Sequence, residues 1–121
     1  MLPVDNRLKR SGGFKAVYDR GRSYAADLVV LYALPKRERT KTRFGFSVSK
    51  KIGGSVQRNR ARRLIREAVR LLLPRVLDGW DVVIIARRSI VGAEFSDVML
   101  CVEKLLERAG VIAAGEDTPG K

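Results

Sequence analysis

The 121-residue chain contains no histidine. That removes the side chain most often used as a general base and as a transition-metal ligand. It has one cysteine, Cys101, so no internal disulfide can form, and a lone thiol fits a reducing compartment, most simply the cytoplasm. Cys101 lies in the helical stretch SDVMLCVEKLLERAG among core-type residues, where its expected part is packing. No run of about 18 apolar residues occurs, which excludes a membrane-spanning helix. The opening residues, MLPVDNRLKRSGG, lack the apolar stretch of a signal peptide. Acidic residues do not gather either: only Glu116 and Asp117 are adjacent, in a polar tail. A self-sufficient nuclease would be expected to cluster carboxylates around Mg²⁺. The polypeptide is therefore expected to carry no catalytic residue, no metal site and no cofactor of its own.

What is plentiful is positive charge. Twenty-five lysines and arginines face 13 acids, for a net charge of +12 and a pI near 10.7. A field that strong on a small body suits nucleic acid or an anionic membrane surface. With 45% hydrophobic residues, the chain is expected to fold as a single domain over 1–121 with its own core. Residues 1–10 read as a basic arm, and 110–121 as a flexible tail.

The periodicities predict the order α-β-β-α-β-α. A short helix spans Ser11 to Asp19, with Phe14 and Tyr18 four apart and so on one face. DLVVLYAL (27–34) reads as a strand with Leu28, Val30, Tyr32 and Leu34 on one side and Val29, Leu31 and Ala33 on the other. Both sides are apolar, so both are expected to be covered. RSYAA offers one further short strand. KRERTKT (36–42) reads as a charged loop of hairpin type. In RFGFSVS, Phe44, Phe46 and Val48 alternate with Gly45, Ser47 and Ser49, giving one bulky and one small face. After the turn KKIGGS, Ser55 is expected to cap a helix that Pro74 ends. WDVVIIAR (80–87) reads as a buried strand, and 94–109 as a final amphipathic helix closed by Gly110. Helices on an antiparallel or mixed sheet make an α+β domain.

The most informative segment is QRNRARRLIREAVR (57–70), with six arginines in fourteen positions. At about 100° per residue, Ala61, Leu64, Ile65, Ala68, Val69 and Leu72 form one apolar stripe. Asn59, Arg63, Arg66 and Arg70 fall opposite, and Arg58, Arg60 and Arg62 flank the stripe. A merely solvated face mixes signs, because like charges at i,i+4 cost about 0.2–0.5 kcal/mol per pair. Residues 36–70 instead carry 13 of the 25 cations and two acids, Glu38 and Glu67. Several of the arginines also sit at the helix start, the positive end of its dipole. Such an arrangement is stabilised by a polyanion whose phosphates meet backbone N–H groups and guanidinium forks together.

The residues leave RNA and DNA both open, although no helix-turn-helix spacing, zinc-ligand pattern or zipper accompanies the helix. Phe14, Tyr18 and Tyr32 are available to stack single-stranded bases beside cations. A ribosomal or ribosome-associated RNA-binding protein is the main alternative on composition, and a DNA-binding regulator a second.

The block RFGFSVSKKIGGSVQRNRARRLIREAVR, with RLKRSGGFKAVYDRGRS upstream and DVVIIAR downstream, closely resembles the bacterial ribonuclease P protein subunit over residues 7 to about 109. The resemblance implies an RNA-binding subunit that assists a catalytic RNA in endonucleolytic removal of the 5′ leader from precursor tRNA. It implies that the RNA supplies the active site and holds Mg²⁺, while the protein grips the leader and strengthens substrate and metal binding. By matching motif positions, Lys50, Lys51, Arg58, Asn59, Arg60, Arg62, Arg63 and Arg66 would contact ribonuclease P RNA, and Phe14, Tyr18, Val30 and Tyr32 would line the leader cleft. No DNA or membrane partner is implied. The implied fold is a two-layer α/β sandwich of three helices on an about four-stranded mixed sheet. It includes a left-handed β-α-β crossover, opposite to the hand such units ordinarily take. Gly13 departs from a frequent acidic residue before Phe14, and Gly54 from a frequent Asn in the turn.

Overall fold

Residues 2–113 are described in a computed structural model of the chain. Four short runs rich in β-branched and aromatic residues form strands: β1 (Arg22–Ala25), β2 (Val29–Pro35), β3 (Arg43–Ser47) and β4 (Trp80–Ala86). They make one mixed sheet in the order β1-β2-β4-β3. β2 is antiparallel to β1 and β4, with Tyr32 opposite Ser23 and Val83, and β3 runs parallel to β4, with Phe44 opposite Val82. Three helices complete the domain: α1 (Arg10–Arg20), α2 (Ser55–Leu72) and α3 (Phe95–Ala109). This is the α+β architecture, mixed four-stranded sheet and three helices that the sequence predicts.

The alternation along β2 distributes the sheet between two cores. Val29, Leu31 and Ala33 are buried with Phe44, Val82 and Ile84 beneath Ile65, Val69 and Leu72 of α2 and Val98, Val102, Leu105 and Leu106 of α3. Tyr32 and Leu34 join Val83 and Ile85 on the opposite face, against Phe14 and Val17 of α1. α2 and α3 thus form one layer, and α1 crosses part of the other side. Full burial of side chains such as Ile65, Val69 and Leu72 contributes about 1.5–3 kcal/mol each. That offsets the crowding of cations on the outer face of α2. Cys101 is half-buried and packs against the larger core.

Three expectations are corrected. The loop 36–42 does not close a hairpin, because β4 lies between β2 and β3. β4 is apolar on both faces, and central placement buries both. Residues 2–10 are not simply an extended arm: Leu2 and Leu8 are buried, and Arg7 bridges to Phe44 on the outer edge of β3. The tail also begins in the core, since Val111 and Ile112 are buried and Ile112 bridges to Val76. Residues 114–121 of the expected tail lie outside the described residues.

Candidate nucleic-acid interface

The turn before α2 is tight. Lys50 and Lys51 start a single 3-10 turn anchored by buried Ile52, and the Lys51 N–H donates to Ser49 Oγ at 3.2 Å. Gly53 then takes φ of +147°, a conformation that strains any residue with a side chain. The N-cap of α2 is Gly54, not Ser55, which is already the first helical residue. No side chain caps this end, so its first N–H groups remain available to an external acceptor.

On α2 the apolar stripe is buried as the wheel predicts, at Ala61, Ile65, Ala68, Val69 and Leu72. Lys50, Lys51, Asn59 and Arg63 are exposed, while Arg58, Arg60, Arg62 and Arg66 are half-buried along the flanks. Long cationic stems lying on apolar surface with their heads in water give this pattern. Arg60 is also a strut, its Nη2 donating to the Ala93 carbonyl at 2.9 Å just before α3. Arg62 Nη1 donates to Asn59 Oδ1 at 3.3 Å, an interaction within the basic set itself.

The cations of this set lack internal charge compensation, whereas Arg43, Arg70 and Arg75 have it. Among the described residues, none of the seven cations in the set forms a salt bridge. Several acids are engaged with cations outside the set. Glu67 pairs with Arg70, whose hydrogen bond holds the Glu67 carboxyl below its ordinary range. Glu103 and Glu107 both hold Arg75 at 2.6 and 3.2 Å, tying α3 to the end of α2. Asp81, which no sequence pattern singles out, is buried at the start of β4. It accepts from Arg43 Nε at 2.9 Å and Nη2 at 2.8 Å, with Lys36 Nζ at 3.4 Å. The hydrogen bond to Asp81 holds the Arg43 guanidinium above its already high ordinary value.

On the opposite face Phe14, Tyr18 and Tyr32 form a ring cluster, with different exposures, and Val30 lies on the strand that carries Tyr32. Phe14 is 6% exposed and Tyr18 37%. The rings of Phe14 and Tyr18 meet edge-to-face at 6.3 Å, and those of Tyr18 and Tyr32 at 5.2 Å. Val30 lies two residues along the same face, flanked by Ala25 and Ile85. Phe14 therefore shapes the wall, while half-buried Tyr32 and exposed Tyr18 offer ring surface.

The small face of β3 has a specific cause. A Cβ on Gly45 would lie 2.3 Å from the Phe14 ring, so the glycine makes room for the aromatic. Gly45→Ala is expected to destabilise the fold by about 1–3 kcal/mol through overpacking, read as a lowered midpoint in urea unfolding. The Tyr18–Tyr32 ring pair should loosen with it.

One pocket touches both sets: Arg66 of α2 and Phe14 of α1 line it together at the β3 edge. Arg7 and Arg10 also line it. Sequence pattern does not select these two; their signal is only that of a basic, unpatterned N-terminus.

A mixed sheet with a strongly basic helix on one layer and an aromatic cluster on the other is an arrangement suited to a nucleic-acid-binding protein. Comparison with known sequences is more specific. The sequence model of the family described as Ribonuclease P matches residues 2–110, and the chain belongs to that family, as the protein component of a ribonucleoprotein endonuclease that processes tRNA. It is similar to the ribonuclease P protein component of Symbiobacterium thermophilum, 45% identical over 106 residues, covering 88% of this chain and 92% of that protein. The corresponding protein of Roseiflexus castenholzii is 44% identical over 117 residues, covering 95% of each. Among solved structures, the Staphylococcus aureus RNase P protein superposes with a TM-score of 0.80 at 32% identity, covering 88% of this chain and 97% of that one. The Thermotoga maritima protein gives 0.76 at 25% identity, covering 84% and 96%. Partnership with ribonuclease P RNA follows from the family. Among the described residues no helix is long and apolar enough to cross a membrane.

Proposed function

We propose that this chain binds ribonuclease P RNA through Lys50, Lys51, Arg58, Asn59, Arg60, Arg62, Arg63 and Arg66. The cleft of Phe14, Tyr18, Val30 and Tyr32 takes the 5′ leader of precursor tRNA. The observation that carries this reading is the concentration, on and just before α2, of cations without a carboxylate partner among the described residues, while Glu67, the one acid of that helix, is taken up by Arg70. A polyphosphate supplies the missing countercharge, and each phosphate bound releases counterions.

Among the described residues no three of the His, Cys, Asp or Glu groups are placed to hold a metal ion. In this reading Mg²⁺ and the chemistry of cleavage belong to the RNA. The polypeptide contributes by holding the leader and screening phosphate repulsion, which strengthens binding of substrate and metal by the complex. A cytoplasmic location suits this work and the lone thiol.

The test is cleavage of precursor tRNA by a bacterial ribonuclease P RNA at low Mg²⁺, with and without the protein. Accurate 5′ cleavage should appear only when RNA and protein are combined. Tight RNA binding without any support of cleavage would move the chain to a structural, ribosome-type role. Within the cleft, Tyr32→Ala is expected to weaken leader binding by about 1–3 kcal/mol, the scale of one base–aromatic stack. Affinity for precursors with and without a leader checks this: the loss should be confined to the former.

A further inference from the structure

We propose that the pocket on the outer edge of β3 is a seat for one nucleotide of single-stranded RNA, an assignment that rests on the chain being RNA-binding. The pocket encloses about 410 Å³, inside the range of roughly 300–1,000 Å³ typical of small-ligand sites. It lies at the free side of β3, an edge strand to which the segment of Arg7 and Leu8 bridges from outside, and its lining draws on both cores. Leu2, Leu8 and Phe46 supply apolar walls, and three arginines line it from three separate segments: Arg7 before α1, Arg10 at the start of α1, and Arg66 on α2.

Two features make these arginines a binding set. Among the described residues none of the three has a carboxylate partner, so like charges converge on one opening without compensation. Their positions are also held by the protein. The Arg10 guanidinium lies 4.8 Å from the Phe14 ring centroid, stacked over it. Arg7 Nε donates to the Leu2 carbonyl at 2.8 Å, so only one of its donor nitrogens is used internally. Planar cations beside an aromatic and aliphatic wall suit the two halves of a nucleotide, with phosphate on the guanidinium forks and base on the apolar side. The pocket also joins the basic face of α2 to the aromatic cleft, so one strand could pass from either into it. The nucleotide comes from the precursor's leader or from the RNA subunit, and the same experiment separates these sources.

Arg10 is the residue to change, since it is exposed and its removal leaves the core intact. Wild type, Arg10→Gln and Arg10→Lys are compared for binding of a labelled single-stranded RNA hexanucleotide, its abasic analogue of equal charge, and ribonuclease P RNA, each over a salt series. Equal urea midpoints establish that the variants are folded. Arg10→Gln should weaken binding by about tenfold or more, the scale of one charge-assisted hydrogen bond, and flatten the salt slope by about 0.7. Arg10→Lys should recover the slope but not the full affinity, since an ammonium lacks the planar fork. The abasic strand should bind wild type more weakly than the hexanucleotide. A loss seen with the hexanucleotide assigns the seat to the leader, and a loss confined to ribonuclease P RNA assigns it to that subunit. Unchanged binding of both RNAs by Arg10→Gln overturns the proposal, as does equal binding of the abasic strand where the hexanucleotide shows the Arg10 loss. The cleavage assay is independent: a protein that never supports cleavage but shows the Arg10 losses retains the seat while the processing role fails.

Discussion

Replacing Asp81 with alanine is expected to cost about 3–5 kcal/mol of folding stability, the range for leaving a buried charge without its partner. Asp81 is 6% exposed and is the acceptor shared by Arg43 and Lys36. The Lys36 side chain is itself only 12% exposed. Truncating the carboxylate therefore leaves one ammonium poorly hydrated. Arg43, at 40% exposed, recovers water more readily and contributes less of the loss. The pair also fixes the end of the sheet, because Arg43 on β3 stands opposite Asp81 in the parallel register. Asp81→Asn keeps a hydrogen-bond acceptor and should cost less than alanine. Urea unfolding of Asp81→Ala, Lys36→Met and the double variant measures the coupling. The double variant should be more stable than Asp81→Ala alone, because it removes the stranded cation. Additive losses would show that Lys36 and Asp81 act as separate surface charges.

Most of the fold was readable because it rests on local pattern. The stripe from Ala61 to Leu72 and the run from Val98 to Ala109 each place apolar residues three and four apart, and both stripes are buried. The alternation in RFGFS separated a bulky face from a small one, and Phe44 indeed enters the larger core while Gly45 faces α1. What the pattern could not give is long-range. Gly45 is small because Phe14 occupies the space above it, and nothing near either residue says so. The hairpin expectation for 36–42 followed from neighbours in sequence usually being neighbours in space. It failed because β4 gains more by burying two apolar faces at the centre than at an edge. Leu2 and Leu8 are too far apart to form a periodic run, and Val111 and Ile112 are a lone pair beyond the Gly110 helix stop, so they carried no periodic signal, yet they close the ends of the core. Asp81 looked like an ordinary charge opening a strand, because its partners lie far back in the chain.

The candidate interface divides the same way. Density of one charge sign along a helix is a sequence property, and the eight basic-set residues were legible from it together with the motif. Their individual surroundings were not. Arg60 braces the loop before α3, and Arg70 is neutralised by Glu67. Arg66 turns toward the β3 edge, where Arg7 and Arg10 meet it. Ser55 was expected to cap α2, and Gly54 takes that place. The glycine leaves the helix start without a side-chain acceptor, which favours an anion arriving from outside.

The double change Arg62→Ala, Arg66→Ala is expected to move binding and stability in opposite directions. Each guanidinium removed from a phosphate should lower the salt slope for ribonuclease P RNA by about 0.7–0.9. Removing two charge-assisted hydrogen bonds together should weaken affinity by roughly a hundredfold near 0.1 M salt, from about 1.5 kcal/mol or more for each. In the free protein the same two residues are like charges at i,i+4, and neither has a carboxylate partner among the described residues. Relieving that pair returns about 0.2–0.5 kcal/mol, and alanine is the better helix former. The Asn59–Arg62 hydrogen bond given up in exchange is exposed and long at 3.3 Å, so it subtracts little. The variant should therefore unfold at slightly higher urea than wild type while binding RNA far more weakly. A structural role for these arginines predicts the reverse, with lower stability and an unchanged salt slope. Filter binding across a salt series, paired with urea unfolding of the same preparations, separates the two. A helix that gains stability when it loses its cations carries them for a partner outside the fold.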